Sequence, residues 1–193
     1  MNKNKYIVLC LFFLFNCDSK SQVELFPAYE FRYVENLVSE EIIFPPFSIK
    51  IPNGFNKFSE QNLDILKNQI EKDPGAYFSK ELIHGFSDSL NTAFIISVIK
   101  EENLLDRLNN GYSNYLDKNN EEVVKNQYSI NNIKAVQYQT KNNLNNIGFT
   151  NLKIFLTNRD SVNYLLDFII LDRNFNSKLY SIESSLSTLK RRK

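Results

Sequence analysis

The spacing of apolar and polar residues predicts a strand-rich domain with a few amphipathic helices. Residues 47–51, Phe-Ser-Ile-Lys-Ile, alternate strictly, and Pro45-Pro46 before them and Pro52-Asn53-Gly54 after them punctuate both ends, which predicts a strand. Ser59 can cap a helix whose apolar positions, Leu63, Leu66 and Ile70, keep helical spacing until Pro74-Gly75 stops it. Residues 77–89 show no clear period. The run 93–99 is short, rich in β-branched residues and almost wholly apolar, as expected of a central strand covered on both faces. Leu104, Leu105, Leu108, Tyr112, Tyr115 and Leu116 recur every three or four residues, marking a second helix despite the cost of Gly111. Strands are predicted over 133–140, 152–157 and 162–171, the last two joined as a hairpin through Asn158-Arg159-Asp160-Ser161. Within the last strand Asp167 falls opposite Tyr164, Leu166 and Phe168, so a solvated or edge-facing position is expected for it. A closing helix begins near Ser177, with Leu179, Ile182, Leu186 and Leu189 on one stripe.

The first seventeen residues have another pattern: Lys3 and Lys5, then an apolar run from Tyr6 to Phe15, then Cys17 with Leu14 three positions ahead of it. That run is shorter than the ~20 residues a membrane-crossing helix needs. The layout resembles a bacterial lipoprotein signal, which implies cleavage after residue 16 and lipidation of Cys17. The resemblance implies a cell-envelope protein held by its lipid on a membrane, with the outer membrane expected. Residues 17–24 then form the lipidated cysteine and a short tether, and 25–46 an N-terminal extension too apolar for a solvated linker. A short helix is expected over 29–38.

Composition narrows the chemistry. With 23 basic and 22 acidic residues the net charge is +1, so no overall field favours nucleic acid. Both cysteines, Cys10 and Cys17, lie in the leader, so the domain after it holds no disulfide and no thiol nucleophile. Asparagine is abundant, which reads as compositional bias.

Strand, helix, strand, helix, three antiparallel strands and a closing helix make an α+β fold, an antiparallel sheet sandwiched by helices. Residues 47–55, Phe-Ser-Ile-Lys-Ile-Pro-Asn-Gly-Phe, resemble the opening of the PsbP-like family, where a strand ends in proline shortly before an aromatic residue. That family includes the extrinsic P subunit of photosystem II, a Ran-binding factor and many bacterial lipoproteins. The resemblance covers 47–193 and implies a non-catalytic module that docks onto partner proteins. No cofactor and no catalytic residue are expected.

His84 is the only histidine, which rules out a zinc site of the two-histidine type within one chain. Glu81, His84 and Asp88 would share one face of a continuous helix and form the weak alternative site, for a metal or a carboxylate-dependent hydrolase. The preferred reading is an ordinary surface histidine and no metal. Gly85-Phe86-Ser87-Asp88-Ser89 lacks the closing glycine of a hydrolase elbow. Lys190-Arg191-Arg192-Lys193 is expected to complement the dipole of the closing helix and fray into solvent. Phe26, Tyr29, Phe31 and Tyr33 form the densest aromatic group in the extension. They either cover one edge of the sheet, the preferred reading, or stay exposed as a partner-binding patch. A lipid-anchored module that binds or scaffolds another envelope component is the leading expectation; a small-ligand or lipid-binding lipoprotein is the other non-catalytic one.

Overall fold

The computed structural model describes residues 26–71, 76–118, 122–157 and 162–192. Cys17, the leader before it and the tether 17–24 lie outside the described residues. Among the described residues no helix is long and apolar enough to cross a membrane.

Two antiparallel sheets carry the architecture. Strands β1 (Val38–Phe44) and β2 (Phe47–Pro52) pair first, followed by β3 (Asn56–Lys57), helix α1 (Glu60–Glu71), β4 (Lys80–Ser87) and β5 (Ala93–Ile99). A helical stretch follows: α2 (Leu104–Arg107), a π-turn over Leu108–Tyr112 and α3 (Ser113–Asp117). Then come β6 (Glu122–Ile130), β7 (Ile133–Leu144), β8 (Ile147–Thr157), β9 (Asn163–Leu171), α4 (Phe175–Ser187) and β10 (Lys190–Arg191). The large sheet has the order β3-β4-β5-β9-β8-β7-β6, and the small one β1-β2-β10.

Each face of the large sheet has its own cover. One face buries Phe86, Phe94, Ile96, Ile154, Leu166 and Phe168 under the small sheet (Phe44, Phe47, Ile49, Ile51) and α4 (Ile182, Leu186). On the other, Val136, Tyr138, Phe155 and Leu165 are covered by Leu104, Leu108, Tyr112 and Leu116 of the α2–α3 stretch. Asp167 is therefore buried, contrary to its sequence expectation, because that stretch roofs the face on which it lies. Next to β5 in the middle of the sheet runs β9, so two apolar strands share the centre.

The unforeseen strands have physical reasons. Both β1 and β4 contain a bulge, between Val38 and Glu41 and between Leu82 and His84, which shifts side-chain alternation by one residue and hides the strand period. The helix expected over 29–38 is absent: one 3₁₀ turn, Glu35–Leu37, leads directly into β1. At Gly85 the ring of Phe58 lies where a Cβ would stand, so only glycine admits this approach of α1's leading segment to β4.

Asparagines have a structural part as well as a compositional one. Asn131-Asn132 and Asn145-Asn146 form two-residue hairpin loops, all four at positive φ (48°, 66°, 52° and 64°), as tight turns between twisted strands require. The basic end is not frayed either. Lys190 and Arg191 pair with Ser48 and Phe47 of β2, and Lys190 Nζ lies 3.0 Å from Glu41. Beyond β10 the edge of β2 is completed by side chains of α4 and its end: the Lys50 N–H donates to Thr188 Oγ1 at 2.8 Å, and Ser185 Oγ donates to the Lys50 carbonyl at 2.5 Å.

Candidate functional site

On β7 the residues facing α4 run Ile133, Ala135, Gln137, Gln139. The first two are buried under the cover, whereas the glutamines are half-exposed where the cover ends. A cleft of about 410 Å³ opens there. Its floor is Gln137 and Gln139 with Asn126 of β6 and Leu152 of β8, one wall is Leu179, Ile182, Glu183 and Leu186 of α4, and the other is Tyr29 and Phe31.

The aromatic wall is held by backbone pairing. Ala28 forms a parallel bridge with Ser129, the Tyr29 N–H donating to the Ser129 carbonyl at 2.9 Å and the Ser129 N–H to the Pro27 carbonyl at 2.8 Å. The extension thus caps the last residues of β6, the sheet's edge. Tyr29 and Phe31 then meet Tyr128, with ring centroids 5.6 and 5.7 Å away. Tyr128 Oη donates to Gln137 Oε1 at 2.6 Å. Burial pushes the Tyr128 phenol well above its ordinary pKa, so it stays a donor to Gln137.

The four aromatic residues of the extension separate. Tyr29 and Tyr33 keep 52% and 48% of their surface in water. Phe31 is half-buried between Tyr29 and Tyr128, and Phe26 crosses to the opposite face, where Lys134 Nζ lies 4.9 Å from its ring. One pair packs and the other remains accessible.

Glu81, His84 and Asp88 lie on or at the end of a strand, not a helix, and each is held by a different element. Glu81 is exposed and pairs with Lys100 at 2.7 Å, which lowers its pKa. His84 is half-buried on β4, its Nε2 3.4 Å from the Ile43 carbonyl of β1, and burial pulls its pKa below the ordinary value. It keeps part of its surface in water and also reaches from the large sheet to the small one. Asp88 closes the β4–β5 hairpin, its Oδ1 accepting the N–H groups of Leu90 and Thr92 at 2.9 Å each while Oδ2 pairs with Lys178 of α4. With their polar atoms committed to three separate partners, these side chains do not converge. Among the described residues no group of three or more His, Cys, Asp or Glu side chains is placed to hold a metal.

Nothing in the sequence singles out Gln137, Gln139, Asn126 or Glu183 as cleft residues. The amide pair was visible as polar residues in phase with Ile133 and Ala135, but the cleft needs β6, whose alternation is diluted by its position at an edge.

No family model matches the chain, and no curated protein does. Solved structures do. A protein from Bacteroides thetaiotaomicron superposes with a TM-score of 0.50 at 14% identity, covering 79% of this chain and 48% of its own, so the chain spans about half that protein's length. Cyanobacterial PsbP, CyanoP, from Synechocystis gives a TM-score of 0.50 at 9% identity and covers 80% of this chain and 93% of its own. The fold is PsbP-like. At such identities the likeness is one of architecture, and the PsbP-like fold carries no residue roles with it.

Proposed function

We propose that this chain is a lipid-anchored protein of the bacterial cell envelope whose PsbP-like domain binds another envelope component without catalysis. The observation that carries the reading is the cleft beside Tyr29: a half-exposed tyrosine stands over an uncharged amide floor and a helix wall of Leu179, Ile182, Leu186 and Glu183, a mixture suited to recognition. Anchoring is supported by the charged start, the apolar run and the Leu14-to-Cys17 spacing. An envelope protein is the expected occupant. A small neutral ligand is the second reading, favoured by the cleft volume, which falls in the range of known ligand pockets.

A photocrosslinking residue at Tyr29 in intact cells tests the site, with the same probe at exposed Ile65 on α1 as the comparison. A discrete protein adduct from position 29 and none from position 65 supports the reading. Equal labelling from both positions, or none, removes the cleft as a docking place. Cys17→Ser should move the protein from the membrane to the soluble fraction; wild-type protein that is soluble and carries an unmodified Cys17 by mass spectrometry refutes the anchor.

A further inference from the structure

The β4–β5 and β7–β8 turns project from the same end of the large sheet, where Asn91 of the first and Asn146 and Ile147 of the second line one cavity of about 540 Å³. At these tips stand Leu144, Ile147 and Leu90, with 64%, 51% and 46% of their surface in water. Leu144 is the most exposed large apolar residue among those described. Aliphatic tips flanked by turn asparagines, with Arg173 exposed beside Asp172 in the cavity lining and the Asp172 carboxylate accepting from Thr150, combine apolar groups with polar ones.

The direction of the chain says what covers this end. Pro27, Ala28 and Tyr29 run parallel to β6, so at its first described residues the chain points back toward the end of the sheet where β6 begins. That is the end from which the Leu144–Ile147 turn projects. In the β6–β7 register Gln127 faces Val136, and the eight residues from Val136 to Leu144 cover about 26 Å of strand. Nine peptide steps separate Cys17 from Phe26, a reach of at most about 30 Å. An anchor at Cys17 therefore reaches the level of the tips by continuing in a straight line, whereas reaching the opposite end requires the chain to double back.

We propose that the sheet end bearing Leu90, Leu144 and Ile147 rests on the bilayer, the three aliphatic side chains dipping among the headgroups; this depends on the reading of Cys17 as acylated. The tether holds that surface at high effective concentration, so weak apolar contacts suffice to orient the domain.

The chain contains no tryptophan, so a single introduced one is a clean reporter. Full-length acylated protein carrying Leu144→Trp, and a second preparation carrying Glu102→Trp beyond the other end of β5, are reconstituted in phosphatidylethanolamine–phosphatidylglycerol vesicles with acyl-brominated lipid. The expected result is a blue shift and loss of most of the emission for Leu144→Trp, with Glu102→Trp unchanged. Protein that floats with the vesicles while both reporters stay unquenched overturns the inference and leaves the anchor standing. Protein with an unmodified Cys17 that does not float refutes the anchor, and the bilayer contact with it. A blue shift of Leu144→Trp that grows with protein concentration in detergent, without bromine quenching in vesicles, assigns the tips to a second copy of the chain and overturns the bilayer.

Discussion

Lys153 on β8 and Asp167 on β9 are register partners, with Nζ and Oδ2 2.5 Å apart and both side chains largely withdrawn from water. The pair sits on the sheet face roofed by the α2–α3 stretch, among Tyr112, Tyr138 and Phe155. Such a pair adds little net stability over an apolar pair of similar volume, but removing one partner strands a buried charge.

Asp167→Ala is therefore expected to cost ~3–5 kcal/mol, while Lys153→Met combined with Asp167→Leu recovers most of the loss. Urea denaturation of the wild type, the single and the double variant measures this. A single variant as stable as the wild type would mean that water reaches Lys153.

Leu186 of α4 is buried with Ile49, Ile51 and Phe168 in the core beneath the small sheet. Truncation to alanine leaves a cavity and should cost ~2–5 kcal/mol. Thermal unfolding reads it directly, and an unchanged melting temperature would place the helix off the sheet.

Asp88 ties the β4–β5 turn to α4. Burial pushes its carboxyl upward, but the Lys178 ammonium and the N–H groups of Thr92 and Leu90 outweigh it and hold the pKa below the ordinary 3.8. The unfolded chain takes up that proton first as acid is added. The resulting stability is complete above pH 3.8 and is lost as pH falls through the lower folded value. Asp88→Asn should lower stability at neutral pH and flatten the acid limb of a stability-versus-pH curve. An acid limb identical to the wild type's would assign it to other carboxylates.

The imidazole of His84 behaves in the same sense for a different reason. Burial first, and Lys57 in addition, lower its pKa from 6.5, against the opposing pull of the Ile43 carbonyl. Folding thus favours the neutral ring: stability is complete above pH 6.5 and declines as pH falls through the lower folded value. His84→Gln keeps a donor for the Ile43 carbonyl and removes that decline. Urea midpoints at pH 5 and pH 7.5 should differ less in the variant than in the wild type; an equal difference in both clears His84 of the effect.

Legibility followed regularity. The strand β2 and the helix α4 could be read because their apolar residues keep one period, β5 and β9 because nearly every residue is apolar, and β8 only over 152–157, where Leu152, Ile154 and Leu156 alternate. Where a bulge breaks the period, as between Leu82 and His84, the sequence shows no strand alternation, and the helical spacing of Glu81, His84 and Asp88 corresponds to no helix. Strand β6 alternates but mixes charged, amide and apolar residues, because its ladder is paired on one side by β7 and its outer end only by Ala28.

By itself the sequence determined several segments that bury an apolar face, the Pro-rich breaks on either side of β2, and that no thiol chemistry or two-histidine metal site is available after Cys17. These are local properties, set by side-chain periodicity and residue type. Tertiary structure alone decided that Asp167 lies beneath α2–α3 beside Lys153, that Gln137 and Gln139 floor a cleft instead of facing open water, and that Glu81, His84 and Asp88 answer to three different partners. A polar residue on a strand reveals its face but not what covers that face. The cover comes from residues far away in the chain, and packing chooses it.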